Sequence, residues 1–369
     1  WPRAGWRRTG ARILQYTQAK LDQDDHRNMP ASEDSQQDAL DTPKTADVHP
    51  YQFLTPETVL EAMESVGICT DARILALNSY ENRVYQVGIE EAEPVVVKFY
   101  RPARWTREQI LEEHSFLQEL AEAELPVVAP LVTNGLTLHN CEPFLFTVFP
   151  RKGGRLPDLD LDTLQSVGRT LGQLHSIGAR SRFQHRPRLT VAGHGEASRR
   201  FLLDNDFIPD ELRPAYETLT RDLLARIAQV WRMCDNGPLL RLHGDCHAGN
   251  ILWREGPLLV DFDDCLTGPA IQDLWMLLSG ERDQRQAQLA ELIDGYEMFY
   301  DFNPAELQLV EALRTLRLMH YSAWLARRWD DPAFPRAFPW FNTPRYWSEQ
   351  ILALREQLAA LDEPPLRLF

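Results

Sequence analysis

Cysteine is sparse in this chain and lacks a pairing pattern: the five residues Cys69, Cys141, Cys234, Cys246 and Cys265 are odd in number and show no CxxC spacing. That excludes a dense disulfide framework. With no recognisable signal-peptide pattern either, it points to a reducing cytoplasm and five unpaired, mostly buried thiols. Long apolar runs are missing too. The longest candidates, such as Leu274 to Leu278, fall far short of the roughly 18 residues that a membrane-spanning helix needs, so no membrane span is expected. Positive charge is in deficit: 39 Lys and Arg minus 54 Asp and Glu gives −15. Such a balance argues against general nucleic-acid or anionic-membrane binding while leaving room for a local basic groove. No internal repeat with a period of about 20–50 residues is present.

What remains is an ordinary globular composition, with 44% hydrophobic and 25% charged residues in a chain of 369, enough for one large domain or two smaller ones. Residues 1–49 stand apart. The first twenty carry five basic and no acidic residues, whereas residues 21–50 carry eight acidic and two basic. Apolar residues there are few and unpatterned, so the segment cannot offset the entropy of ordering. The expectation is a disordered extension or an upstream start in the gene model, with a basic arm or targeting sequence as the alternative.

The fold is expected to begin near residue 50. Thr55-Pro56-Glu57 opens a helix through Val59, Leu60, Met63 and Val66, with Thr55 as N-cap and Pro56 at its first position. Two β-rich runs follow, Arg83 to Val87 and Val95 to Tyr100, with a hairpin loop around Glu90 to Glu93. Thr106-Arg107-Glu108-Gln109 has capping-box spacing and introduces a helix through Ile110, Leu117, Leu120 and Ala121, which Pro126 ends. After the strand Phe144 to Phe149, the cluster Pro150-Arg151-Lys152-Gly153-Gly154 marks the best internal boundary. Beyond it Leu164, Val167, Leu171, Leu174 and His175 recur at helical spacing, and the patterns around residues 215–231, 271–279, 285–300 and 305–329 are helical as well. The prediction is an α+β, two-lobed arrangement: a small β-rich lobe over 50–149 and a larger, mainly helical lobe over 150–369.

One loop in the second lobe carries the chemistry. In Leu242-His243-Gly244-Asp245-Cys246-His247-Ala248-Gly249-Asn250-Ile251-Leu252, an Asp and an Asn sit five residues apart between apolar runs, and Asp261 follows at the end of Leu258-Leu259-Val260. Phosphoryl transfer from a nucleotide needs three such groups. One carboxylate, Asp245, handles the proton of the attacking hydroxyl, while the amide oxygen of Asn250 and the carboxylate of Asp261 hold magnesium on the phosphates. A carboxylate ending a buried strand is costly unless it is paired or metal-bound. Asp263 has two readings left open, help with a second ion or a cap on the following turn. A zinc site through His243 and His247 is the alternative for this cluster, but Gly244 and Gly249 argue for a loop and no Glu follows His243 as in HExxH.

Lys98 lies in the apolar run Val95 to Tyr100. Glu113 falls on the stripe of Ile110, Leu117 and Leu120 and so points to the core, whereas Glu112 lies off it beside Phe116. An inward Lys on a strand and an inward Glu on the next helix form the ion pair that positions nucleotide α/β-phosphates, with Glu113 preferred over Glu112. The turn Leu77 to Arg83 occupies the place of a phosphate-covering loop without any glycine, so Ser79, Tyr80 or Asn82 would have to supply donors.

At these residues the chain resembles the kinase-like phosphotransferases that share HGDxHxxN, including aminoglycoside, choline and homoserine kinases, and more narrowly the bacterial stress response kinase A family. Asn78 to Tyr85, Val97 to Pro102, Leu242 to Trp253 and Gly268 to Trp275 carry the narrower resemblance, as do Asp331 to Pro335 and Glu363 to Leu366; it spans about residues 50–367. The resemblance implies a protein-kinase-like fold, ATP and magnesium as cofactors, and phosphorylation of protein Ser/Thr hydroxyls, its own included, in a stress response. It further implies Asp245 as base, Asn250 and Asp261 as magnesium ligands, Lys98 on phosphate, Ser79 on ATP, and Asp273 bracing the catalytic loop. Asp261-Phe262-Asp263 departs from the DFG of ordinary protein kinases, which puts activation-loop regulation of the usual kind in doubt. A cytoplasmic monomer acting on protein substrates is the expectation, with no nucleic-acid or membrane partner. A small-molecule acceptor on the same fold is the first alternative; there the aromatic tail (Trp324, Trp329, Phe338, Trp340, Phe341, Trp347) could line either kind of groove. A non-catalytic binding module is the other.

Overall fold

The computed structural model describes residues 51–77, 79–234 and 237–368. The reading of residues 1–49 and the position Asn78 lie outside the described residues.

The chain enters through α1 (Pro56–Ser65), where the Thr58 N–H donates to the Thr55 side chain at 3.3 Å and Pro56 occupies the first turn. Then come β1 (Thr70–Leu77), β2 (Arg83–Ile89), β3 (Ala92–Phe99), α2 (Arg107–Glu122), β4 (His139–Cys141) and β5 (Phe144–Pro150). The strands form one antiparallel sheet in the order β1-β2-β3-β5-β4. β3 is central, which suits its run of β-branched valines, and the register sets Lys98 opposite Val84 on one side and Thr147 on the other. β1 was not anticipated. It is an edge strand with five exposed residues and none buried, so its sequence carries no apolar alternation to read. α2 keeps its capping box, Thr106 and Gln109 each accepting from the other's backbone N–H.

The helical lobe runs α3 (Leu161–Gly178), a π-turn over Ala192–Glu196, α4 (Ala197–Asp204), α5 (Arg213–Cys234), β6 (Leu240–Leu242), β7 (Ile251–Trp253), β8 (Pro257–Leu259), β9 (Leu266–Gly268), α6 (Ile271–Leu274), α7 (Arg282–Tyr296), α8 (Val310–Ala326), α9 (Ala333–Ala337) and α10 (Pro344–Ala360). α3 and α7 approach closely because Gly168 lets them: a Cβ there would fall 2.1 Å from the Leu292 carbonyl oxygen. Among the described residues, no helix is long and apolar enough to cross a membrane. All five cysteines are unpaired, three of them buried.

Two expected helices are shorter than their apolar patterns. The one over 271–279 breaks after Leu274 into a 3₁₀ turn, and the one over 305–329 starts with a 3₁₀ turn at Pro304–Leu309 before α8. Three of the six tail aromatics are corrected as well. Phe338, Phe341 and Trp347 are buried in a second core with Tyr216, Leu316 and Met319, so they build α8–α10 packing and line no groove. A second core of this size explains why so many rings cluster in one tail.

Candidate active site

β6 pairs with β9 and delivers the chain into the loop at His243. The loop is clamped before it reaches Asp245. From α6 the fully buried Asp273 accepts from the N–H groups of His243 and Gly244, at 2.8 Å each, and His175 Nε2 lies 3.1 Å from the same carboxylate. Gln272 Nε2 donates to the Gly244 carbonyl at 2.8 Å. Gly244 itself has φ +87°, and a Cβ there would fall 2.2 Å from the Asp264 carbonyl oxygen. Only glycine fits that position. His243 Nε2 sits 2.9 Å from the Val260 carbonyl, while its Nδ1 accepts from the Asp245 N–H at 3.3 Å. Both ring nitrogens are therefore engaged by the chain, and the zinc alternative has no ligand here.

Asn250 Nδ2 donates to the Asp245 carbonyl at 3.0 Å, a bond that occupies the amide nitrogen and not the amide oxygen. The Asp245 carboxylate meets an Arg317 Nη1 donor from α8 on one oxygen and His247 Nε2 at 3.5 Å on the other. Burial opposes its charge, yet Arg317 and then His247 hold it well below the usual carboxylate range. It is an ionised acceptor, aligned but weakly basic.

Asp261 follows β8 in a left-handed conformation, φ 59° and ψ 69°. Desolvation and then the negative charge of Asp263 push its carboxyl up to about 6, although the residue keeps solvent-exposed surface. A carboxylate strained in this way gains from a nearby cation. Among the described residues no three His, Cys, Asp or Glu side chains gather into a ready-made metal cage. An amide oxygen and a single carboxylate suit magnesium, which takes few protein ligands and completes its shell with phosphate and water.

Lys98 on β3 is 7% exposed. Its Nζ lies 2.9 Å from Asp263 Oδ1 and 3.4 Å from Glu113 Oε1. Burial works against the ammonium, but Asp263 and Glu113 together raise it well above the ordinary lysine value. The tighter partner is Asp263. Burial pushes Glu113 up against the pull of Lys98. Glu112 points elsewhere: its carboxylate accepts from the backbone N–H groups of Gln184, His185 and Arg186, at 2.5, 2.8 and 2.7 Å. Ser79 Oγ donates to the Asn82 carbonyl at 3.2 Å and so closes the turn ahead of β2.

Asp263 has a role that neither open reading named. It is the hub of the site, accepting from Lys98, from Asn82 Nδ2 at 2.5 Å and from Arg104 Nη1 at 2.6 Å. Burial opposes its charge, but Lys98 and Arg104 hold the carboxyl well below the usual range. Arg186 fastens the segment from behind, donating to the carbonyls of Asp263 and Cys265 and lying 3.8 Å from Glu113. Sequence reasoning missed Arg104, Arg186 and Arg317. None lies on a motif, and each comes from an element distant in sequence from the group it touches. His175 was visible only as one member of a helical stripe.

The sequence model of the phosphotransferase enzyme family matches residues 73–310. Stress response kinase A of Escherichia coli (strain K12) is 48% identical over 319 residues, covering 86% of this chain and 97% of that protein. The serine/threonine protein kinase RdoA of Salmonella typhimurium is 47% identical over 319 residues, with the same coverage. Among solved structures, the chain is similar to an amicoumacin kinase in complex with AMP-PNP, Ca2+ and Ami, at TM-score 0.63 and 17% identity over 85% of this chain and 95% of that one. A microcompartment-associated aminopropanol kinase aligns at TM-score 0.64 and 19% identity over 84% of this chain and 100% of that one. At such identities these two speak for the fold alone.

Proposed function

This chain belongs to the phosphotransferase enzyme family and, within it, to the stress response kinase A family, and on that premise we propose that it is an ATP- and magnesium-dependent Ser/Thr protein kinase serving a stress response. The observation that carries this reading is the meeting of two pairs, Asp245 with Asn250 and Lys98 with Glu113, across the segment Asp261–Asp263. Lys98, anchored by Glu113, binds the nucleotide phosphates. Ser79 holds the turn that covers them. Asn250 and Asp261 hold magnesium, which when bound offsets charge developing on the β- and γ-phosphates. Asp245 orients the acceptor hydroxyl and receives its proton as the γ-phosphoryl group transfers.

Arg317 at the Asp245 carboxylate favours a protein acceptor over a cationic small molecule, which would meet a like charge at the base. The unpaired thiols support a reducing compartment such as the cytoplasm, and a monomer suffices because every proposed site residue is supplied by one chain. The test is the full chain with γ-labelled ATP and magnesium, beside Asp245→Asn, following label on Ser and Thr of the chain and of a generic protein substrate. Turnover should fall by about 10²–10⁴ in the variant with its melting temperature unchanged. Near-normal turnover in Asp245→Asn would remove Asp245 from the role of base. ATP binding without any protein label would move the acceptor to a small molecule.

A further inference from the structure

The π-turn over Ala192–Glu196 carries a histidine that neither the fold nor the phosphotransfer chemistry uses. Such turns are rare, place an extra residue within a helix and recur at functional sites. Here His194 stands between two glycines. A Cβ at Gly195 would fall 2.4 Å from Leu224 Cδ2 and 2.8 Å from Leu316 Cδ2, so the turn lies close against α5 and α8. That approach sets the His194 ring beside His320 of α8, with centroids 4.9 Å apart and planes tilted by 41°.

Each ring has one nitrogen turned inward. His194 Nδ1 is buried without a hydrogen-bond partner, and His320 Nδ1 lies 3.4 Å from Ser198 Oγ. The two Nε2 atoms remain. Among the described residues neither has a partner, and neither is sealed from solvent. Burial lowers both rings from the ordinary histidine value, against the opposing pull of Asp264 on His194. His320 falls to about 3, where the charges of His194, Arg327, Arg328 and Arg317 add to the effect of burial. Both rings are therefore neutral at physiological pH, and each open nitrogen can donate or accept according to its tautomer.

Their position is next to the chemistry. His320 is three residues from Arg317 on α8, which places the two on one face with Cβ atoms about 5–6 Å apart, and Arg317 donates to the Asp245 carboxylate. On the other side, the charge acting on His194 is that of Asp264, the residue after the Asp261–Asp263 segment. The chemistry of the pair narrows what it can hold. A transition metal would lack further ligands, since among the described residues no three His, Cys, Asp or Glu side chains gather. The guanidiniums that act on His320 would also repel it. A charged acceptor side chain would find no free counter-ion, because Arg317 and Arg328 are held by Asp245 and Glu81. Two neutral imidazoles suit an uncharged hydrogen-bonding group. The one that every acceptor protein presents beside its Ser or Thr is the peptide unit.

On the reading that this protein is a Ser/Thr protein kinase, we propose that His194 and His320 form its acceptor-holding pair: their open Nε2 atoms hydrogen-bond the main chain of the acceptor protein beside the Ser or Thr presented to Asp245. The pair binds the acceptor and takes no part in moving the proton. It reads backbone rather than side-chain charge, so acceptors of different flanking sequence share the same hold.

The experiment uses the full chain, residues 1–369, with ATP, magnesium and a neutral Ser peptide, beside His194→Leu, His320→Leu and His320→Gln. Each Leu variant should raise KM for the peptide about tenfold, the loss of one hydrogen bond, while KM for ATP moves far less. Gln places an amide near the Nε2 position and should recover most of the His320→Leu loss. A second readout separates binding from a structural role. At one position flanking the Ser, an amide-to-ester substitution removes an N–H and weakens a carbonyl, and it should raise KM about tenfold against the wild type but not against the Leu variants. In the wild type, where folding is not at issue, the imidazole Nε2 resonances of both residues should shift when the peptide is added. Resonances that stay in place would overturn the proposal. So would an unchanged peptide KM in folded Leu variants, or an ester penalty that persists in them; either leaves the kinase reading standing. No phosphorylated peptide from the wild type would instead overturn the protein-kinase reading, and the proposal with it.

Discussion

Glu112 and Glu113 are neighbours in sequence and do unrelated work. Glu113 faces Lys98 in the core, while Glu112 holds three consecutive backbone N–H groups at residues 184–186. Glu113→Gln should leave Lys98 with Asp263 alone and raise KM for ATP by about tenfold with a smaller effect on kcat. Glu112→Ala should instead cost about 1–3 kcal/mol of stability, measured by denaturant unfolding, with KM for ATP unchanged. Equal effects on KM would mean that the two carboxylates are not separated as described. The inward face of Glu113 was legible because helical periodicity alone decides it. The partner of Glu112 was not, because it arrives from a loop some seventy residues later. Lys98 had a further signal in composition: apart from Lys152 it is the only lysine after Lys44, every other cation of that type being arginine. Keeping a compact ammonium there is consistent with a point contact on phosphate.

At the scale of elements, the catalytic loop owes its shape to α6, a helix of one turn that could not stand alone. Its N-terminus is held by Glu306, 2% exposed, whose carboxylate accepts from the Ile271 N–H at 2.9 Å. Burial pushes that carboxyl up to about 7, from an ordinary value of 4.5. Because the folded value is the higher one, the stability it contributes is full below pH about 4.5. It is lost as pH rises through about 7, roughly 3 kcal/mol in all. Glu306→Gln keeps an acceptor and removes the titration. Melting curves at pH 5 and pH 8 should show the variant gaining on the wild type between them, and parallel behaviour would exclude Glu306 as the source. The brace itself, Asp273, could be anticipated only through resemblance, since nothing in its local sequence says which backbone it will hold. The buried tail shows the reverse difficulty. Phe338, Phe341 and Trp347 have an obvious apolar character, but sequence gives no partner, so core and groove read alike until α8 and α10 are packed together.

For the whole molecule, the question is what holds the β-rich lobe against the helical one. The answer centres on Glu81, in the turn between β1 and β2. Its carboxylate lies 3.2 Å from Arg101, 3.7 Å from Arg104 and 2.5 Å from Arg328, and accepts from Trp324 at 2.7 Å. Arg101 continues the link to Asp331 at 2.6 Å, and Arg104 continues it to Asp263 at 2.6 Å. One carboxylate thus joins three guanidiniums from both lobes, and the same arginines reach the Lys98 counter-ion. Removing its charge would leave those guanidiniums facing one another with little water to screen them, a loss on the order of 3–5 kcal/mol for a broken buried pair. The consequence should extend beyond stability. Arg104, freed from Glu81, has only Asp263 and Asp264 to hold it, so the lobes lose a tie that adjoins the counter-ion of Lys98, and KM for ATP should rise with it. Glu81→Gln is therefore expected to lower the melting temperature by several degrees and to increase the radius of gyration in small-angle scattering without nucleotide. A stable variant with unchanged scattering would show that hydrophobic contact between the lobes, rather than this charged link, sets their separation.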